Sequence, residues 1–349
     1  MRNLLRYTGV RLRPHAKAFK SSQLGKWLLE RAGPEVSGFC VQTVGEAEAM
    51  VVGAGATDVL LTNEVYGPNA ERLAALAVAH PGASIGALVD GRDGVAALDA
   101  AASRVGARLT AFVEIDAGQN RCGLDRDSPE VAAVTKAVLS SSALEFGGLQ
   151  VYHGAIQHVR APEARRAAVE AGPADAARRT VAALAAEGIV PPLVTGGGTG
   201  TFLMDVEVGT HDEVQPGSYL FMDGDYGQND DRGFQQSLFV HTTVISSDEA
   251  SGKRVVDAGT KAVDLLCGPP RAVFLDEGPN EALAAVTFTN GGDEHGILHG
   301  VPAGALPVGS TLQLVPSHCD PCTNLHDCFV GVRDGVVEAV YPIDARGPG

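Results

Sequence analysis

"SIGALVDGRDGVAALDAAASRVGARLTAFVEID", residues 84–116, decides the fold class. Its ends, "SIGALVD" (84–90) and "RLTAFVEID" (108–116), are almost continuously apolar, the pattern of strands buried on both faces. Between them "GVAALDAAASRV" is rich in good helix formers. Strand, helix and strand in that order build a parallel pair joined by a crossover helix. The unit recurs on both sides. Further strand-like runs are "VRLRPHAK" (10–17), "GFCVQT" (38–43), "DVLLTN" (58–63), "FGGLQVYH" (146–153), "PPLVTGG" (191–197) and "GSYLFMD" (217–223). Helical patterns fall between them in "SSQLGKWLLERA", "NAERLAALAVAH" and "ARRTVAALAAEG", with Ser21 or Ser22, Asn69 and Ser128 as N-caps and Gly33 and Gly188 as stops.

Eight such units match a (β/α)8 TIM-type barrel, which takes about 250 residues. A doubly wound open sheet is the competing arrangement. The barrel is favoured because residues able to do chemistry sit at the ends of many different strands. From residue 237 the texture changes: "SLFVHTTVISS", "RVVDAG", "RAVFLDE", "AAVTFTN", "TLQLVPSH" and "DCFVGVRDGVVEAVYPID" are β-rich, and "RDGV" (333–336) signals a hairpin. The expected division is a barrel over 1–236 and a C-terminal antiparallel β-domain over 237–349.

A net charge of −15, spread along 349 residues, argues against nucleic acid and anionic membrane as partners. No apolar run reaches the roughly 18–20 residues of a spanning helix. The N-terminus has no signal-peptide pattern, so a cytoplasmic protein is expected. Scattered Cys40, Cys122 and Cys267 do not resemble a disulfide framework, which leaves reduced thiols as the expectation.

"RPHAKAFKSS" puts Lys17 at the end of the first strand, the end at which barrels do chemistry. His15, Arg13 and Lys20 nearby are expected to act as cationic neighbours that favour its neutral, imine-forming amine. "VTGGGTGTF" (194–202) follows the seventh strand, where barrels often bind phosphate, and "QPGSYLFMDGDY" adds Gly217 and Ser218. No GK[ST] follows, so this is no nucleotide-hydrolysing loop. "VEIDAGQNRCGL" and "LQVYHGAIQH" bring Asp116, Asn120, Arg121, Tyr152, His153 and His158 to strand ends. A strand-one lysine, a phosphate loop and these polar side chains together describe a pyridoxal 5′-phosphate site.

"VPSHCDPCTNLHDC" (315–328) has three readings. Cys319, Cys322, His326 and Cys328 could clip a structural zinc. His318 and Asp320, two apart on one strand face, could hold Mn²⁺, Mg²⁺ or Zn²⁺ with open positions and Cys319 turned away. The third is a polar loop with no metal.

The stretches "RPHAKAFKSS", "FCVQTVGEAEAM", "VEIDAGQNRCG", "GLQVYHGAIQH", "TGGGTGT", "VQPGSYLFMD" and "PSHCDPCTNLHD" resemble, in this order, the D-threonine aldolase and D-serine dehydratase family. That family's barrel is similar to alanine racemase. The resemblance implies Lys17 as the lysine that carries pyridoxal 5′-phosphate. It implies Gly198, Thr199, Gly217, Ser218 and Tyr219 at the phosphate, Arg121 and Tyr152 near the ring, and His153 near the substrate hydroxyl. It makes His318 and Asp320 the metal pair. Aldolase-like members carry His-x-Asp there and dehydratase-like members His-x-Cys, so Asp320 favours the aldolase. The implied reaction cleaves a D-β-hydroxy-α-amino acid to glycine and an aldehyde, in a homodimer. The alternatives are a D-serine or D-3-hydroxyaspartate dehydratase on the same fold, a non-catalytic pyridoxal-phosphate carrier, and a structural-zinc protein. Two departures stand out: Phe19 replaces a histidine of the relatives' "HAKTHK", and a "TPALVVDLD"-like opening strand is missing.

Overall fold

The computed structural model describes residues 1–231, 233–273 and 285–347. The chain divides into two compact units, Met1–Gly217 with Cys328–Gly349, and Ser218–Asp327.

The first unit is a parallel ring. Its strands are β1 (Arg11–Leu12), β2 (Phe39–Val41), β3 (Asp58–Glu64), β4 (Ser84–Val89), β5 (Leu109–Asp116), β7 (Leu144–Tyr152), β8 (Val194–Gly196) and β9 (Glu213–Val214), with a short β6 (Leu124–Asp125) paired outside on β5. They run in the order β1-β9-β8-β7-β5-β4-β3-β2. Single parallel bridges, Leu12 with Val36 and His15 with Cys40, bring the first and last strands together. This is the expected (β/α)8 barrel, with the helices Ser22–Glu30, Gly67–Ala79, Arg92–Val105, Glu130–Ser140 and Asp175–Ala186 among its crossovers.

Alternation sets what fills the ring. Leu60, Leu88 and Phe112, from three successive staves, form one buried cluster with Leu193, just before β8, while Leu61, Val89 and Val113 lie on the opposite faces of their strands. The seam is polar. Arg13, just after β1, donates from Nε to Glu213 Oε1 at 2.7 Å, and from its two terminal nitrogens to Asp58 at 2.7 and 3.0 Å. Glu213 is fully buried and also accepts from Thr195 Oγ1 at 2.9 Å and from the Ser37 hydroxyl. Burial alone pushes the Glu213 carboxyl up. The Arg13 charge and the hydrogen bonds from Arg13, Ser37 and Thr195 outweigh it and hold the carboxyl below the usual range.

Several expectations need correction. The eighth stave is β9, not "GSYLFMD", because its inward residue is Glu213 and a strand that buries a salt bridge does not read as an apolar run. Ser218–Leu220 is instead a 3-10 turn, and Met222 has φ +55°. The helix after β3 starts at Gly67 with Tyr66 as its N-cap rather than Asn69, because Pro68 suits the first turn. Ser21 caps the helix Ser22–Glu30, its Oγ accepting from the Leu24 amide.

Among the described residues, the second unit forms a six-stranded antiparallel sheet in the order β12-β15-β10-β11-β14-β13. Its strands are β10 (Val240–Asp248), β11 (Lys253–Val256), β12 (Arg271–Val273), β13 (Thr287–Asn290), β14 (Gly296–His299) and β15 (Thr311–Val315). Val244, Val256, Leu298, Leu312 and Leu314 form its core. The last four residues of "RAVFLDE" and the first of "AAVTFTN" lie outside the described residues. Two differences from the expected division follow. The unit opens at Ser218 rather than 237, and the hairpin β16 (Cys328–Arg333) and β17 (Val336–Pro342) groups with the barrel. Asp334 and Gly335 turn that hairpin at φ +50° and +76°, as "RDGV" predicts. Beyond it, Asp344 accepts from the Ser22 amide at 2.8 Å, and the Ala345 amide donates to Lys20 O at 3.0 Å. These bonds tie the chain end to the N-terminus of the first crossover helix.

The seam makes a stability prediction. Replacing Arg13 with Met strands the Glu213 carboxylate and should destabilise the barrel by about 3–5 kcal/mol in urea unfolding. In the unsubstituted protein the depressed Glu213 carboxyl contributes stability that is fully present above its unfolded value of about 4.3 and is lost as pH falls through its folded value. R13M should lack that acid-side loss; equal stability of the two proteins at pH 7 would contradict the seam's role.

Candidate active site

At the carboxyl end of β1 the chain turns through a 3-10 helix, Ala16–Ala18, that carries half-buried Lys17. His15 caps this turn: its Nδ1 accepts from the Lys17 amide at 3.5 Å, and its Nε2 meets Thr62 Oγ1 at 3.2 Å. Gly217, leaving the ring after β9, lies against the same turn. A Cβ there would stand 3.0 Å from His15 O and 3.3 Å from Ala18 Cβ, so a larger residue would have to push the turn away by a few tenths of an ångström. Two of the three cations expected to neighbour Lys17 carry counter-charges of their own. Arg13 is held by Glu213 and Asp58, and Lys20 donates to Glu46 at 2.6 Å. Phe19 is fully buried, edge to face with Phe39 at 6.0 Å, so its side chain serves apolar packing.

The glycine-rich loop follows β8, and its Gly198 and Thr199 are both buried. It binds to the polar side chains around it: the Gly198 amide donates to Thr201 Oγ1 at 3.3 Å and the Gly200 amide to Gln157 Oε1 at 3.0 Å. After β5, Asp116 Oδ1 accepts the amides of Gly118, Gln119 and Asn120, which folds the loop that presents exposed Arg121. The Arg121 guanidinium stands 5.8 Å from the ring centre of Tyr152, at the end of β7. Lys17, Gly198, Thr199, Arg121, Tyr152 and His153 thus all lie at the carboxyl ends of staves of one barrel.

His153 is wedged between glycines. Cβ atoms at Gly118 and Gly172 would stand 3.7 and 3.6 Å from its ring. Gly172 belongs to a π-helical turn, Glu170–Ala174, a distortion frequent at functional sites. Burial lowers the imidazole's pKa against the opposing charge of Asp116, and its buried Nδ1 has no hydrogen-bond partner among the described residues. A neutral ring with an unused nitrogen is equipped to take a proton.

Ser218, Tyr219, His318 and Asp320 belong to the second unit. Tyr219 packs on Phe234 at 5.5 Å. β15 ends at Val315, so His318 and Asp320 do not share a strand face. His318 instead caps a short helix, Cys319–Thr323, and Asp320 lies in its first turn. The two still meet, with His318 Nε2 3.6 Å from Asp320 Oδ2. Bonds of about 2.0–2.2 Å let two donors at that separation share one ion. On the other side of the imidazole, buried Asp223 Oδ2 lies 2.8 Å from Nδ1 and accepts the Cys319 amide at 2.9 Å. A carboxylate on Nδ1 fixes the tautomer that presents Nε2 as a ligand. Asp223 was hidden because its segment reads as a strand.

Cys319 does not turn away as expected. It is fully buried, and its Sγ lies 3.2 Å from Asp320 Oδ1. Burial, then the charges of Asp320 and Asp223, push its thiol well up, which disfavours a thiolate ligand. The zinc clip finds no support: Cys322 Sγ and His326 Nε2 both face Ala262 O, at 3.8 and 2.8 Å, and Cys328 is exposed.

Sequence reasoning also missed a pair of acids. Glu114 and Glu64 stand with Cys122 so that their ligand atoms lie within 4.8 Å of one another. Burial first, then the hydrogen bond and charge of Glu64, push Glu114 up to about 9 against the pull of Arg121, so it is a neutral acid at pH 7.

Comparison with known proteins gives a consistent result. The family described as "Alanine racemase, N-terminal domain" matches residues 1–225, and that described as "Putative serine dehydratase domain" matches 237–332. The chain is 41% identical over 350 residues to a 3-hydroxy-D-aspartate aldolase of Paracoccus denitrificans (strain Pd 1222), covering 98% of this chain and 86% of that protein. It is 41% identical over 342 residues to a D-threonine aldolase of Arthrobacter sp., covering 97% and 86%. The crystal structure of D-threonine aldolase from Filomicrobium marinum superimposes with a TM-score of 0.89 at 38% identity, over 99% of this chain and 90% of that one. With a matching barrel, matching C-terminal domain and relatives alike over almost its whole length, the chain belongs to the D-threonine aldolase and D-serine dehydratase family, built on an alanine-racemase-like barrel.

Proposed function

We propose that the protein is a pyridoxal-phosphate- and divalent-metal-dependent lyase that cleaves D-β-hydroxy-α-amino acids of the D-threonine type to glycine and an aldehyde. The observation that carries this reading is the His318–Asp320 pair, 3.6 Å apart, with Asp223 set on the far nitrogen of the histidine. One nitrogen and one oxygen donor suit Mn²⁺, Mg²⁺ or Zn²⁺ with positions left for a substrate hydroxyl.

The barrel residues suit the organic cofactor. Lys17 supplies the amine and Gly198, Thr199 and Gly217 supply a small-residue phosphate cradle, to which the family resemblance adds Ser218 and Tyr219. Arg121 and Tyr152 supply a cation and an aromatic face for the ring. When bound, pyridoxal 5′-phosphate would supply an electron sink for carbon–carbon cleavage, and a divalent ion held by His318 and Asp320 would lower the pKa of the substrate hydroxyl. His153 takes the hydroxyl proton on its imidazole, which burial keeps neutral. Asp320 completes the metal pair with an oxygen donor, where a dehydratase-like member resembles His-x-Cys. The enzyme acts on a small D-amino acid, and the family resemblance supports a homodimer.

Incubation with D-threonine in the presence of Mn²⁺ should yield glycine and acetaldehyde, and a chelator should suppress both. Formation of 2-oxobutanoate and ammonia in their place would overturn the aldolase in favour of a dehydratase. Asp320→Ala should abolish metal-dependent turnover while the visible absorbance of bound cofactor persists. Asp223→Ala should weaken metal affinity by about 10–100-fold in a metal titration. Cys322→Ala should leave it unchanged; the reverse ranking would restore the thiolate clip.

A further inference from the structure

Beneath the glycine-rich loop lies a carboxyl group that the proposed chemistry does not use. Asp205, on the helix Phe202–Val208, is fully buried in the barrel unit. Its Oδ2 accepts from Thr201 Oγ1 at 2.6 Å, and its Oδ1 has no hydrogen-bond partner among the described residues. The Thr201 hydroxyl has one proton and two acceptor positions. The proton goes to Asp205. The acceptor positions take the Gly198 amide at 3.3 Å and Gln157 Nε2 at 2.9 Å. Gln157 continues the chain, its Oε1 accepting the Gly200 amide at 3.0 Å and its Nε2 reaching His153 O at 3.3 Å.

The loop is fitted to this acid. A Cβ on Gly197, which has φ +67°, would stand 2.4 Å from Asp205 Oδ2, so no other residue can lie over the carboxyl. With its only proton committed to Asp205, the Thr201 oxygen is aimed at the Gly198 N–H. Without that acceptor the hydroxyl turns to find another partner, and the Gly198 amide loses its anchor.

We propose that Asp205 is a positioning residue for the cofactor phosphate, a hydrogen-bond acceptor that orients Thr201 and through it fixes the backbone of the glycine loop. This rests on the reading of the loop as the phosphate site. Burial raises its pKa while His211 and Thr201 pull the other way, and the network uses only one accepting oxygen of the group, Oδ2. An amide of the same shape should therefore replace it.

The test compares pyridoxal 5′-phosphate with pyridoxal, which differs only in lacking the phosphate, on the whole 349-residue chain freed of cofactor. Binding is read as growth of the visible absorbance band. The unsubstituted chain should prefer the phosphate ester. Asp205→Ala and Thr201→Val should each reduce that preference by about tenfold or more and leave pyridoxal affinity unchanged. Asp205→Asn and Thr201→Ser should retain it. Unchanged pyridoxal affinity also reports that each variant barrel is folded, and Thr201→Val carries the test should Asp205→Ala not fold. A full preference in both disruptive variants overturns the positioning role, as does a loss in Asp205→Asn equal to that in Asp205→Ala. Equal affinity of the unsubstituted chain for the two aldehydes removes the loop reading itself and the inference with it.

Discussion

The barrel depends on one buried cation. Arg13 satisfies Glu213 on the last stave and Asp58 at the start of the third, across a seam where β1 contributes two residues and two single bridges. Elsewhere in the ring, backbone ladders hold neighbouring staves together; β5 and β7, for example, pair over eight registered positions from Leu109 with Leu144 to Asp116 with Tyr152. At the seam side-chain charge does much of that work. A guanidinium with a fixed fork of donors can meet two carboxylates at once, which a lysine ammonium does less well. Two residues beyond Arg13, His15 caps the turn of Lys17, so the closure of the ring also fixes where the lysine stands.

Apolar runs were legible in the sequence wherever both faces of a strand meet hydrocarbon. The staves at 58–64, 84–89, 109–116 and 144–152 were found within a few residues of their ends. β9 was not legible, because Glu213 and the Pro216 that follows make a buried strand look like a loop. The C-terminal hairpin was legible from Asp334-Gly335, but its attachment to the barrel was not. That attachment rests on Asp344 and Ala345 meeting Ser22 and Lys20, more than 300 positions apart in sequence for the Asp344–Ser22 pair.

The candidate site shows the same division. Residue types at strand ends pointed to Lys17, the glycine loop, Arg121, Tyr152 and His153, and the structure sets all of them on one end of the ring. The His318–Asp320 pair was found for an incomplete reason: the two meet through a helix cap and not through strand alternation. What stayed hidden were the acids whose role depends on long-range burial. Asp223 lies 95 positions from His318, and the Glu114 carboxyl is pushed up by burial first and then by the neighbouring Glu64. Single residues of common type carry no signal of such pairing until the fold brings them together.

The central claim is that one particular lysine carries the aldehyde cofactor. Borohydride reduction of the protein loaded with pyridoxal 5′-phosphate, followed by peptide mass mapping, tests it directly. The account predicts a pyridoxyl group on Lys17, at the carboxyl end of β1. Labelling instead at Lys20, Lys26, Lys136, Lys253 or Lys261, or no labelled lysine at all, would contradict it.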